Sequence, residues 1–190
     1  METSSEVLVC QICSIPDPLC LTKLGIPLCS SCWKKPGPSK NTLFHYDPEI
    51  DKITDKVFLG NEEASRRIHV LKALGITNIL VAGRGLAKHY PNDFEYKCLE
   101  IDDFFLEDIS VFFEESFKFI EGSKGNVYVH CAAGVSRSAT IVISYLMRKN
   151  NEKYEDVFEF VKERRPSIGP NEGFVKQLRA LENQLKNTLF

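Results

Sequence analysis

Residues 127–138 read Val-Tyr-Val-His-Cys-Ala-Ala-Gly-Val-Ser-Arg-Ser, and they restrict the chain more than any other stretch. The segment from Asn126 to His130 is β-branched and aromatic, which predicts a buried strand. A mostly apolar run from Ser138 to Lys149 predicts a buried helix that starts near Arg137 or Ser138. Between them lie Cys131 and the small residues Ala132, Ala133 and Gly134, followed by Val135 and Ser136. A loop of this kind can curl so that successive backbone N–H groups point inward. With a helix N-terminus behind it, the loop becomes an anion site. Gly134 and the alanines let the backbone approach a ligand closely. The same dipoles, with Arg137 six residues on, favour the thiolate of Cys131, which is the nucleophilic form. Arg137 can grip two phosphoryl oxygens bidentately and stabilise charge on a transferring phosphoryl group. These residues predict phosphoryl transfer from a phosphoester to Cys131.

The rest of the chain supplies a framework for such a loop. Val57 to Gly60, Ile76 to Ala82 and Lys97 to Ile101 read as strands. Glu62 to Leu74 carries apolar residues three or four apart and reads as an amphipathic helix closed by Gly75. A further helix begins at Asp108, and two more cover Tyr154 to Arg165 and Asn171 to Leu185, separated by Pro166 to Pro170. Strands alternating with helices predict an α/β domain with a central, mostly parallel sheet flanked by helices. Residues 34–50 read KKPGPSKNTLFHYDPEI, without strand or helix period, and divide this domain from a different kind of chain before it. The expected organisation is a zinc-ribbon-like module over 1–36, a linker over 37–50 and a catalytic domain over 51–190.

The stretch His130 to Ser138 resembles the signature loop of the cysteine-dependent protein tyrosine phosphatases, specifically the small dual-specificity phosphatases. The resemblance extends from about Ile53 to Leu185. It includes Val57-Phe58-Leu59-Gly60, the Asp108-Ile109 pair, Arg165-Pro166-Ser167-Ile168 and Pro170-Asn171. It implies hydrolysis of phosphotyrosine and phosphoserine/threonine through a phosphocysteine intermediate, with no cofactor for catalysis. Ser138 then matches the hydroxyl that bonds the leaving thiolate, and His130 the residue that orders the loop from beneath. The reaction also needs a general acid. Alignment with the family sets it five residues before Asp108, at Asp103; Asp102 is the neighbouring alternative, and Asp108 reads as a helix cap. The uncharged Ala132, Ala133 and Val135 point away from the inositol-lipid branch of the superfamily. The absence of pocket-deepening insertions implies a shallow cleft open to phosphoserine and phosphothreonine. Arg84, Lys88, Arg164 and Arg165 are candidates to contact acidic flanks of a substrate, or simply helix-terminal cations.

Five of the seven cysteines fall in the first 32 residues. Cys10-x2-Cys13 and Cys29-x2-Cys32, 15 residues apart, have zinc-ribbon spacing. Four thiolates there would close a structural Zn²⁺ site, and metal binding would supply folding energy to a piece too small to fold unaided. Cys20 is spare, and Cys98 reads as core or as a resolving thiol for Cys131. A net charge of −2 argues against a nucleic-acid or membrane coat. The acidic start and short apolar runs lack the form of a secretory signal or a membrane span, so the expected location is cytoplasmic and/or nuclear. Expected partners are phosphorylated proteins, with protein docking through the zinc module. A phospho-binding pseudophosphatase or a zinc-dependent adaptor is the alternative.

Overall fold

A computed structural model of the protein describes residues 19–21, 27–29 and 50–187. The chain divides into two units, Met1–Pro48 and Glu49–Phe190. In the first, β1 (Leu19–Leu21) and β2 (Pro27–Cys29) pair antiparallel, with Leu19 opposite Cys29.

The second unit carries a five-stranded sheet. Its strands are β3 (Ile50–Lys52), β4 (Val57–Asn61), β5 (Ile76–Ala82), β6 (Glu95–Leu99) and β7 (Asn126–Cys131). Their spatial order is β3-β4-β7-β5-β6, parallel throughout except for β3, which runs antiparallel along β4. The central strand β7 is buried from Val127 to Cys131, as its apolar sequence demands. Successive side chains of a strand point to opposite faces. Val127, Val129 and Cys131 therefore face the main core, built with α3 (Phe113–Gly122), α4 (Arg137–Asn150), α5 (Tyr154–Arg164) and α6 (Glu172–Asn187). Tyr128 and His130 face the other side, toward the short helices α1 (Glu62–Ser65) and α2 (Ile68–Ala73). In α4, every residue from Ser138 to Met147 is buried, because the helix packs on the sheet and is enclosed by α3, α5 and α6. No helix among the described residues is long and apolar enough to cross a membrane.

Four boundaries differ from the sequence reading. The expected helix over Glu62–Leu74 is broken at Arg66 and Arg67, and Arg67 lies outside helical geometry. Ser65 Oγ donates to the Glu62 carbonyl at 2.6 Å, offering the backbone a local alternative to continued helix. The strand expected over Lys97–Ile101 runs two residues earlier, because the Ile101 N–H turns back to the Leu99 carbonyl (2.9 Å). Ile50, given to the end of the linker, is fully buried and opens β3 opposite Gly60; a three-residue strand is too short to show a period. Asp108 does cap, accepting from Ser110 N at 3.1 Å, but it opens a 3₁₀ turn (Ile109–Phe112) that leads into α3.

Candidate active site

The end of β7 delivers Cys131 to the C-terminal edge of the sheet, and α4 starts six residues later. The thiol is buried, and two donors converge on Sγ: Gly134 N–H and Ser138 Oγ, each at 3.2 Å. The carbonyls of the connecting loop are held from outside. Ala132 O accepts from Glu62 N (3.1 Å), Ala133 O from Arg165 Nη2 (3.4 Å), Gly134 O from Arg165 Nε (2.8 Å) and Val135 O from Gly169 N (3.0 Å). In a trans peptide the following N–H points the opposite way. Fastening four successive carbonyls outward therefore turns the amides of Ala133, Gly134, Val135 and Ser136 toward the inside of the loop. Gly134 has φ +70°, and a Cβ there would lie 2.4 Å from Gly60 O, so both conformation and space require glycine. Ser136 gives α4 no side-chain cap, which leaves the first-turn N–H groups of the helix uncapped by it. Its hydroxyl goes elsewhere, to Asp103 Oδ1 at 2.7 Å.

Asp103 is brought to the loop by three contacts. Besides Ser136, Asn171 Nδ2 donates to the same oxygen (3.0 Å), and Arg137 Nε lies 3.7 Å from Oδ2. Arg137 also donates to the Ile101 carbonyl (3.3 Å), so its guanidinium spans the start of the acidic loop. Asp102 turns the other way and makes an exposed pair with Arg84 at 3.0 Å. Cys131, Ala132 to Arg137, Ser138 and Asp103 thus form one constellation, and Asp102 stands outside it.

His130 lies buried on the sheet face opposite Cys131, stacked on Tyr128 with 5.4 Å between ring centroids. Burial pushes its pKa down to about 4, so the ring is neutral near pH 7. Nδ1 lies 3.3 Å from the Cys131 carbonyl, which can only accept, so Nδ1 carries the proton.

Arg165 corrects an expectation. It does not face the flanks of a substrate: it is 4% exposed, wedged under the loop, and pairs with Asp51 of β3 at 2.6 Å. Arg164 lies over the Phe160 ring, its Cζ 3.5 Å from the centroid. Cys98 is no resolving thiol, because Val81 of β5 stands between it and His130 in register. Two strand spacings make about 10 Å, beyond the roughly 7 Å limit for a disulfide. Asn171 and Asp51 had no assigned role in the sequence reading. Asn171 carried one usable signal, an Asn directly before a helical period; Asp51 carried none, since its partner lies 114 residues away. Cys10, Cys13 and Cys32 lie outside the described residues, as do the side chains of β2, including Cys29, so the expected zinc site falls outside too. Among the described residues, no group of three or more His, Cys, Asp or Glu could hold a metal.

Comparison with known proteins agrees with this geometry. Residues 57–184 match the family model for the dual specificity phosphatase catalytic domain. Dual specificity protein phosphatase 1-B of Xenopus laevis is 42% identical over 137 residues, covering 70% of this chain and 37% of that protein. The chain spans about 37% to 46% of the length of such curated relatives. Among solved structures, a human tyrosine phosphatase-like serine/threonine/tyrosine-interacting protein superposes with a TM-score of 0.70 at 37% identity, covering 72% of this chain and 97% of that one. Human DUSP28 gives 0.71 at 26% identity, covering 74% and 97%. With an α/β sheet of this topology and a matching catalytic-domain model over residues 57–184, the chain belongs to the dual-specificity phosphatase family.

Proposed function

We propose that the protein hydrolyses phosphotyrosine and phosphoserine/threonine in protein substrates through a phosphocysteine intermediate. The observation that carries this reading is the pair of donors on Cys131 Sγ, set inside a loop whose amides face inward. Those amides and the N-terminus of α4 bind the phosphoryl oxygens, with Arg137 swinging onto them as the phosphate enters. The Cys131 thiolate attacks phosphorus, the bond to the substrate oxygen breaks, and Asp103 gives that oxygen a proton. Oδ1 already accepts from Ser136 and Asn171, so Oδ2 is the oxygen that carries the proton. Asp103 next takes a proton from water, the water oxygen bonds to phosphorus, and the S–P bond breaks. Ser138 donates to the departing thiolate. The family's chemistry needs no cofactor.

The protein should turn over a small aryl phosphate in EDTA, and Cys131→Ser should abolish that turnover; equal rates would end the enzyme reading. Binding without turnover is the weaker alternative, because a pure binder has no use for a nucleophile with an acid fastened to its loop.

Cys10, Cys13, Cys29 and Cys32 hold one structural Zn²⁺ in a module over 1–36, joined through a linker that ends before Ile50 to the catalytic domain. Its support is the spacing, together with the antiparallel pairing of Leu19–Leu21 with Pro27–Cys29, a short β ribbon that ends on the second pair's Cys29. The module serves protein docking, and the chain works in the reducing cytoplasm and/or nucleus. Metal analysis of reduced protein should find about one Zn²⁺ per chain; a value near zero would remove the ribbon.

A further inference from the structure

The loop that carries Asp103 is fastened to the first turns of α6 at three points. Asn171, directly before the helix, donates to Asp103. At Gly173 a Cβ would lie 1.8 Å from Phe105 O, so the loop backbone rests directly on the helix. Gln177 donates to Glu107 O (2.8 Å) and accepts from Ser110 N (2.9 Å). A segment tied down from 103 to 110 cannot fold its side chains inward at will.

Yet its apolar side chains stand in solvent. Phe104 is 53% exposed, Phe105 55%, Leu106 70% and Val111 63%. They are four of the five exposed large apolar residues among those described. Phe104 and Phe105 meet edge to face, 5.0 Å between centroids. Scattered apolar residues on a surface are ordinary, whereas four of them within eight positions of one fastened segment mark a candidate contact surface. Carrying Asp103 needs none of these side chains, and polar ones would serve the loop equally.

Position identifies the occupant. In the proposed reaction Asp103 must touch the oxygen leaving phosphorus, so the peptide bearing that oxygen passes over the residues directly after Asp103. We propose that Phe104, Phe105, Leu106 and Val111 form a rim that selects phosphoproteins with a large apolar residue beside the phosphorylated one. This rests on the phosphatase reading. Exposed Asp108, between Leu106 and Val111 in the chain, disfavours an anionic lipid surface or an acidic flank there, while the charge of Asp102 is offset by Arg84.

The test uses the full chain and pairs of phosphopeptides that differ only in Leu or Ser next to the phosphoresidue. Wild type should favour Leu by about tenfold in kcat/KM, the factor that burying part of one leucine supplies. The double variant Phe104→Ser/Leu106→Ser should bring the ratio within about twofold. Turnover of a small aryl phosphate, measured on the same preparations, separates the two ideas. A wild type inert on aryl phosphate removes the phosphatase reading, whereas an active wild type with no Leu preference overturns the rim alone. That second result needs no variant to fold. Self-association or binding to anionic vesicles that the double variant abolishes, with the peptide preference untouched, would also overturn it.

Discussion

Residues 131–137 and 102–108 leave the sheet at the same edge, because β7, β5 and β6 run parallel, and together they make the site. They are held in contrasting ways. The Cys131 loop is gripped through its own backbone: four carbonyls are bonded from outside, and a glycine fits where nothing larger can. The Asp103 loop is held by α6, mainly through the side chains of Asn171 and Gln177, while its own apolar side chains remain exposed. A loop that must present amides to an anion needs its backbone fixed, whatever the side chains. The other must fix a single carboxylate, and its remaining positions are free to vary with the substrate.

Breaking the first mode of support should have the largest effect. Arg165→Ala would remove the donor to Ala133 O and Gly134 O and break the nearly buried ion pair with Asp51. Loss of one partner of a buried pair costs about 3–5 kcal/mol. Urea denaturation should show it, with aryl phosphate turnover falling in whatever folded protein remains. An unchanged midpoint would mean that the loop holds itself.

The pH dependence of stability probes the same loop from below. His130 has a folded pKa of about 4 against 6.5 unfolded, so below pH 6.5 the unfolded chain takes a proton that the folded one refuses. This contribution is complete above about 6.5 and is lost as pH falls toward 4. Between pH 7.5 and 5 it amounts to about 2 kcal/mol. His130→Asn, which takes no proton, should flatten that part of the stability profile. Equal slopes in the two proteins would show that the ring is solvated.

The second mode should give the smallest but most selective change. Asn171→Ala removes one donor to Asp103 and the cap on Phe174 N (3.0 Å), for about 1 kcal/mol of stability. Turnover of a phosphoserine peptide should fall about tenfold and that of an aryl phosphate with a good leaving group much less, because only the poor leaving group needs the acid. Equal losses on both would reduce Asn171 to a cap.

The same contrast explains what could be read from the sequence. Strand β7, the loop and α4 were legible because their constraints are local: a buried strand, small residues, then a helix start within twelve positions. The alternation of strands and helices gave the parallel sheet for the same reason. The break at Arg66 and Arg67 was hidden, since a single serine hydroxyl competing with the helix leaves the apolar spacing intact. Arg165 read as a solvent-facing cation at a helix end. Its burial depends on Asp51, which no pattern around either residue reveals.

That ion pair also sets where an independent catalytic fragment must begin. The matched family region starts at Val57, and a fragment cut at Ile53 would keep every residue of it. Such a fragment would lack the edge strand, uncover the sheet beside Gly60 and remove the Asp51 carboxylate that pairs with Arg165 beneath the loop. Ile50, which reads as the end of a tether, therefore belongs to the catalytic fold, and a fragment meant to keep this strand and ion pair has to include Ile50.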